Sequence, residues 1–190
     1  EGDPEGEFRV QVRMPLIDQS EGVWARVALL DAGDSRGSFF RPEIGDEVVL
    51  GFLNDDPRNP VILGMLHSSA KPSPVTPADD NHEKGFVTRS EMKLMFDDDK
   101  KIITIETPNG NKITISDEDG KIELTDENNN KMTTDSSGVL MESASDIVIK
   151  STGDVNIEGT NVNVKANAQI KAEGSAGAEV SSGGMTEVKG

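Results

Sequence analysis

The sequence contains no cysteine and no tyrosine, and it has no aromatic residue after Phe96. The missing cysteines exclude a disulfide framework and thiolate chemistry. No apolar run approaches the ~18 residues that a transmembrane helix needs. Positive charge is also scarce, since 35 acidic residues face 19 basic ones and the net charge is -16. Because binding to a nucleic-acid backbone depends on clustered Lys and Arg, we expect no nucleic-acid partner.

The large and rigid residues are concentrated at the start of the chain. Five of the seven aromatic residues lie at or before Phe52, and eight of the nine prolines lie at or before Pro77. The first third can therefore build a globular core with large side chains. The remainder must build any core from Ile, Val, Leu and Met.

Residues 1–67 alternate apolar and polar positions in short runs, which predicts a small β domain. The predicted strands cover residues 8–12, 23–30, 38–41, 46–53 and 61–66. Five short antiparallel strands without an intervening helix favour a barrel of the oligonucleotide/oligosaccharide-binding (OB) type, with a sandwich as the alternative. The predicted core residues of this domain are Phe8, Val10, Trp24, Val48, Leu50, Val61 and Leu63.

Residues 68–83 hold three prolines and almost no large apolar residue, which predicts an extended linker. Short strands resume at residue 84, separated by turns rich in Asp, Asn and Gly. From Val139 onward, pairs of small or branched residues recur in steps of 8, 8, 7, 8, 8 and 8 positions. Such a period is typical of stacked short strands that each add one rung to a continuous core.

Each rung offers only about two inward side chains, too few for one chain to bury, so the repeat predicts association with partners. The predicted inward residues are Ile103, Ile105, Ile113, Ile115, Ile122, Leu124, Val139, Met141, Ile147, Ile149, Val155, Ile157, Val162, Val164, Ile170, Val180 and Val188. Toward the end of the chain, Ala and Thr replace Ile at inward positions, which predicts a narrowing core.

Three segments carry a family resemblance: GEFRVQV (6–12), VWARV (23–27) and RPEIGDEVVLGFLNDDPRNPVILGML (41–66). They resemble the OB domain of VgrG proteins, the spike proteins of type VI secretion, which are related to the central baseplate spikes of contractile phages. The following segment is KGFVTRSEMKLMFDDDKKIITIETPNGNKITISD (84–117). Together with the repeat, it resembles the triple-stranded β-helix that follows this OB domain.

The resemblance implies an all-β homotrimer: an OB collar (1–67), the linker (68–83) and an intertwined, tapering triple-stranded β-helix (84–190). Each side of this prism would take strands from each chain in turn. The family's function is that of a structural spike that breaches a target envelope. It would be assembled in the bacterial cytoplasm and expelled with the injection apparatus.

The resemblance also implies partners. An N-terminal hub domain would join the spike to the inner tube protein and the baseplate, so we expect the chain to be the C-terminal part of a longer protein. A PAAR-type tip protein would cap the C-terminal end, and effectors would travel on the spike.

Several residues invite a chemical interpretation that the pattern does not favour. The acidic groups at 97–99, 117–119 and 126–127 fall in turns, where solvated carboxylates are expected rather than a glycosidase pair or a calcium loop. His67 and His82 have no second ligand nearby in sequence. We therefore expect no catalytic residue, cofactor or metal. The alternative function is a trimeric adhesin or ligand-binding module in which Trp24 stacks a ligand on the OB face.

Overall fold

The computed structural model of the single chain describes residues 2–15 and 18–187, without the side chains of residues 18–21. Within these ranges the chain forms β-strands and one short 3-10 helix, Leu53–Asp55. The strands are β1 (Val10–Met14), β2 (Asp18–Val27), β3 (Ala32–Gly33), β4 (Arg36–Gly37), β5 (Glu47–Phe52), β6 (Pro60–Leu66), β7 (Glu83–Val87), β8 (Lys93–Asp97), β9 (Ile102–Glu106), β10 (Lys112–Ser116), β11 (Lys121–Thr125), β12 (Lys131–Asp135) and β13 (Gly138–Glu142). The prediction of an all-β chain is confirmed. No helix in the described part of the chain is long and apolar enough to cross a membrane.

The N-terminal strands form a curled half-barrel with the order β1-β2-β6-β5. The β2–β6 pair is parallel, so the expectation of purely antiparallel strands was wrong at this position. The predicted strand at 38–41 was also wrong. Residues 38–41 carry no strand; the β3–β4 hairpin lies directly before them, closed by the Ser38 N–H donating to Asp31 O and by an Arg36–Asp31 ion pair. After this hairpin the chain runs without strand structure to β5.

The core of the half-barrel is small. Val12, Ala25 and Ile62 are buried, and five partly buried residues pack against them: Val10, Val23, Val27, Val48 and Leu50. A β-bulge shifts the β5–β6 register between Val49 and Leu50, which leaves Leu63 without a direct partner on β5. Ile62 is 1% exposed and Leu63 is 60% exposed, so Ile62 and not Leu63 faces the core.

Residues 83–142 form one seven-stranded antiparallel sheet in which every strand pairs with its sequence neighbour. Over this range one chain supplies the whole sheet. The expectation that each side of a three-chain prism takes strands from the three chains in turn was therefore wrong for these residues. Turn chemistry explains the local pairing. Asp97, Asp126 and Asp135 each accept hydrogen bonds from backbone N–H groups of the following turn.

The sharpest reversals use positive φ. Gly110 has φ 90° and Gly120 has φ 60°, conformations that L-residues rarely adopt. Lys101 and Asn129 also have positive φ, at 54° and 64°. Tight turns at 98–101, 108–111, 117–120 and 126–130 therefore bring consecutive strands side by side.

The half-barrel and the sheet meet through a few specific contacts. The rings of Phe40 and Phe86 stack with centroids 5.4 Å apart, and Arg89 Nη1 lies 2.9 Å from Glu43 Oε2. Within the predicted linker, Lys71 Nζ donates to Gly45 O at 2.6 Å and to Asp46 Oδ1 at 3.1 Å. The Glu43 backbone N–H and Lys71 together lower the pKa of Asp46.

Residues 145–190 form a separate unit. Its described part, residues 145–187, contains no strand, and all its residues are exposed. The inward residues predicted from the repeat are exposed here as well, from 54% at Ile147, Val155 and Val162 to 85% at Val180. Val188 lies outside the described residues.

Candidate assembly surface

The seven-stranded sheet carries two parallel rows of apolar side chains on one face, here called the apolar face. The cross-strand partners define the rows. The first row is Phe86, Leu94, Ile105, Ile113, Leu124, Met132 and Met141. The second row is apolar except for its first and sixth members, and consists of Lys84, Phe96, Ile103, Ile115, Ile122, Thr134 and Val139. The face is thus two residues wide and runs across all seven strands, about 29 Å at the usual strand spacing of about 4.8 Å.

The single chain leaves this apolar face uncovered. Ile103 is 37% exposed, Ile122 is 51% exposed and Val139 is 65% exposed. The opposite face holds the buried residues of this sheet, Ser116 and Thr133, whose exposed fractions are only 3% and 9%. A soluble sheet usually hides its apolar side, and large contiguous apolar patches mark interaction sites. The apolar face is therefore the strongest candidate for an assembly surface.

The opposite face, here called the polar face, is organised by charge. Lys131 Nζ lies 2.7 Å from Glu123 Oε2, and Lys121 Nζ lies 3.4 Å from the same oxygen. Lys131 is the larger cause that lowers the pKa of Glu123, Lys121 adds to it, and desolvation opposes both. In return, Glu123 raises the pKa of Lys131. A groove of about 440 Å³ runs along this face beside Thr104, Thr114 and Glu123.

Acidic side chains in the turns accept hydrogen bonds from groups of the same turn. Besides Asp97 and Asp126, Asp119 Oδ2 accepts a hydrogen bond from the buried Ser116 hydroxyl, which itself accepts the Asp119 N–H. Asn130 Nδ2 and backbone N–H groups of the same turn lower the pKa of Asp126. His82 Nε2 lies 3.9 Å from Asp80 Oδ2. The described residues hold no group of three or more His, Cys, Asp or Glu that could bind a metal.

The predicted inward residues of the sheet fall on one face. Ile103, Ile105, Ile113, Ile115, Ile122, Leu124, Val139 and Met141 all belong to the two rows. The sequence reasoning did not name Phe86, Leu94 and Phe96 as inward residues, although their spacing within β7 and β8 continues the same alternation. Whether any of these side chains becomes buried in an assembly stays a prediction.

The predicted core of the half-barrel is only partly assembled within one chain. Val10, Val48 and Leu50 pack against the buried cluster, and Trp24 and Val61 are half-buried. Trp24 neighbours the buried Ala25 and so points to the other side of β2. Phe8 is 43% exposed and Leu63 is 60% exposed, so their burial stays a prediction for the assembled protein. Val12, Ala25 and Ile62 were not predicted, although Val12 continues the alternation of Phe8 and Val10.

An apolar groove of about 430 Å³ lies on the half-barrel between Phe8, Leu29 and the β3–β4 hairpin. Its wall includes Phe39 and Arg36, whereas Trp24 is not part of it. The Arg41 guanidinium lies over the Phe8 ring, 4.9 Å from its centroid. This groove therefore does not support the ligand-stacking role considered for Trp24.

Comparison with known proteins agrees with this architecture. Residues 1–67 match the family model of the type VI secretion system/phage-baseplate injector OB domain. The chain is 34% identical over 88 residues to the spike protein VgrG3 of Vibrio cholerae, covering 44% of this chain and 8% of that protein. It is 32% identical over 91 residues to the spike protein VgrG1a of Pseudomonas aeruginosa, covering 46% of this chain and 14% of that protein.

A further relative is the actin cross-linking toxin VgrG1 of Vibrio cholerae, 34% identical over 100 residues that cover 46% of this chain and 9% of the toxin. The chain thus spans a small part of the length of the curated relatives it matches. Residues 1–67 thus match the injector OB domain, and part of the chain is similar to several type VI secretion spike proteins of the VgrG type.

Proposed function

We propose that three copies of this chain join their apolar faces around one axis and form the shaft of a type VI secretion spike. The observation that carries the proposal is the pair of apolar rows that crosses all seven strands and stays uncovered in one chain. A sheet two apolar residues wide cannot close on itself. Three such sheets can enclose a prism with a continuous apolar centre, in which the polar faces meet solvent.

The residues after 144 extend this proposal to an intertwined shaft. Their predicted inward pairs keep the same two-residue width, and the described part of the unit has no strand pairing of its own. Backbone N–H and C=O groups of an extended segment need partners when the segment packs against others. Other copies of the same segment can supply both those partners and the apolar contacts. We place Ile147, Ile149, Val155, Ile157, Val162, Val164, Ile170, Val180 and Val188 at the axis of this second part.

In this proposal the protein acts by stiffness rather than by covalent chemistry. The shaft would transmit the force of the contracting apparatus to the target envelope, and the OB domain would form the collar at its base. Unpaired strand edges are absent from a closed prism, and a fully hydrogen-bonded rod of interlocked chains unfolds slowly. The inner tube and baseplate, a PAAR-type tip protein and effectors are the proposed partners. The apparatus would form in the bacterial cytoplasm and expel the spike.

A paired substitution in the source bacterium tests this function. Leu124 lies on the apolar face and Thr125 lies on the polar face of the same strand. A strain that carries Leu124→Glu should lose release of the inner tube protein into the medium, whereas a strain that carries Thr125→Glu should release it normally. Normal release from the Leu124→Glu strain, with the variant present at wild-type level, would contradict the proposal.

A further inference from the structure

The outward residues after residue 140 follow a charge order that the apolar repeat does not require. The third residue after the first member of each inward pair is charged in five consecutive rungs and alternates in sign. These residues are Glu142, Lys150, Glu158, Lys165 and Glu173. The steps between these charges are 8, 8, 7 and 8 positions, the same as the steps between the first members of the inward pairs. Because the step of 7 falls at the same place in both series, the five charges hold the same position within each rung.

In the seven-stranded sheet Glu106, Thr125 and Glu142 hold this position, and each lies beside the residue that precedes the inward pair of the neighbouring antiparallel strand. One row on its polar face consists of Val87, Lys93, Glu106, Lys112, Thr125, Lys131 and Glu142. Apart from Val87 and Thr125, which are uncharged, each residue of the row faces a residue of opposite charge on the neighbouring strand. Lys131 faces Glu142 directly, and Glu142 is one of the charges that favour the protonated form of Lys131. Opposite charges that face each other in this row therefore attract across adjacent strands, whereas like charges in the same places would repel.

The same side of the rung remains accessible in the C-terminal unit. Lys171 Nζ lies 2.7 Å from Glu173 Oε1, so the first and third residues after the start of that rung point to one side. Both side chains are exposed in the chain. This side is the continuation, in residue position, of the polar face of β13.

The apolar residues of this unit cannot define a register by themselves. Their pairs are nearly interchangeable: Ile147 with Ile149, Val155 with Ile157, and Val162 with Val164. A neighbouring copy displaced by one rung would exchange one branched residue for another. Register is weakly specified wherever successive strands present equivalent faces, and charged outward residues are a common means of specifying it.

We propose that the alternating charges Lys150, Glu158, Lys165 and Glu173 set the register between neighbouring copies of this chain in the C-terminal unit. The inference rests on the proposed trimeric shaft, in which adjacent rungs on one side come from different copies. In the intended register each charge meets an opposite charge of the next copy. A displacement by one rung brings Lys against Lys and Glu against Glu along these four rungs.

Each exposed pair contributes little stability, so the effect concerns which register forms rather than how tightly the copies bind. It must also depend on ionic strength. At about 0.01 M salt charges act over about 30 Å, whereas at about 1 M they are screened beyond about 3 Å.

Exchange of two charges tests the inference without changing composition. Glu158→Lys with Lys165→Glu converts the order Lys-Glu-Lys-Glu into Lys-Lys-Glu-Glu at unchanged net charge. The matched control reverses all four charges to Glu-Lys-Glu-Lys and so keeps the alternation inside the unit. Because the natural chain has no cysteine, register can be read by introduced disulfides.

Two cysteine reporters distinguish the registers. Asn156 and Asn163 hold equivalent outward positions in successive rungs, so Asn156→Cys with Asn163→Cys should form disulfides between copies in the intended register. Asn156→Cys alone should form them only after a displacement that brings equal rungs together. We expect the double-cysteine protein to cross-link at about 0.01 M salt with the natural and the reversed charge order, and the exchanged order to lose most of this product. The exchanged order should regain it at about 1 M salt.

The outcomes separate the inference from the proposed function. If the natural protein is monomeric, both fail. If it is trimeric but the exchanged order cross-links as well as the natural one at low salt, the charges do not set the register. The inference is also overturned if the natural trimer forms the single-cysteine product, or if high salt fails to restore the exchanged variant.

Discussion

Residues 83–142 and residues 145–187 share a pattern of paired inward residues, yet one chain folds only the first into a sheet. The difference lies between the strands. In the first region the turns hold Asp, Asn and Gly, and several of their residues have positive φ, so the chain reverses and pairs with itself. In the described part of the second region only Gly177 has positive φ. Alternation therefore sets which face is apolar, whereas the turns set which chain supplies the neighbouring strand.

The largest effect should come from a charge on the apolar face. Leu124→Glu would bring three carboxylates into the apolar centre of the proposed trimer, and an unpaired buried charge costs at least about 3 kcal/mol. We expect loss of the trimer at neutral pH, measured as native mass by light scattering. Thr125→Glu is the matched control, because it adds the same side chain between Lys112 and Lys131 on the polar face. A trimeric Leu124→Glu protein would show that this face is not the assembly surface.

A charge in the C-terminal unit should have a large but more local effect. Ile149→Asp places a carboxylate at a predicted inward position, so we expect the C-terminal unit to become sensitive to limited proteolysis. Residues 83–142 should stay protected, since their strands pair within the chain. Val148→Asp, one residue earlier on the predicted outward side, is the control and should leave the digestion pattern unchanged. Equal sensitivity of the two variants would refute the inward assignment of Ile149.

A smaller effect should separate the turns of the two regions. Gly138 has φ 123°, a conformation nearly restricted to glycine, so Gly138→Ala should cost about 1–3 kcal/mol. Gly153 lies outside the positive-φ range, and a Cβ there would meet only the Ser151 hydroxyl oxygen at 3.9 Å. Gly153→Ala should therefore leave the midpoint of thermal unfolding nearly unchanged. Equal shifts in the two variants would argue against the role assigned to turn geometry.

The smallest effect should appear in the acid dependence of stability. The folded state lowers the pKa of Glu123 below its ordinary value of 4.5, so its contribution is present above that pH and is lost as the pH falls through the lowered value. Glu123→Gln should lower stability at pH 7 and reduce the loss of stability on acidification below about pH 4.5. Chemical denaturation at several pH values measures both changes. Glu118→Gln, in an exposed turn, is the control; an identical profile for the two variants would count against the Lys131–Glu123 pair.

The sequence was most informative where side-chain alternation is regular. The pairs Ile103/Ile105 through Val139/Met141 were placed on one face, and the register of the sheet puts them there. It was least informative where backbone geometry interrupts the alternation. The bulge leaves Leu63 without a direct partner on β5, and residues 38–41, where a strand was expected, follow the short Ala32–Gly37 hairpin without strand structure. Neither a bulge nor a side-chain-closed hairpin has a period that a hydrophobic pattern can display.

The hydrophobic alternation also did not show which strand is the pairing partner of each strand. The same two-residue alternation occurs in the self-paired sheet and in the C-terminal unit, so it could not show that residues 83–142 pair within one chain. Turn residues such as Gly110 and Gly120 carried that information, because their positive φ favours the reversal. The similarity to spike proteins left the pairing open.

The native mass of the intact protein in dilute neutral buffer tests the central claim most directly. Sedimentation equilibrium should give three times the mass of the 20.4 kDa chain, without dissociation on dilution through the micromolar range. A single species at 20.4 kDa would contradict the account. The apolar face would then have to be explained without other copies of this chain.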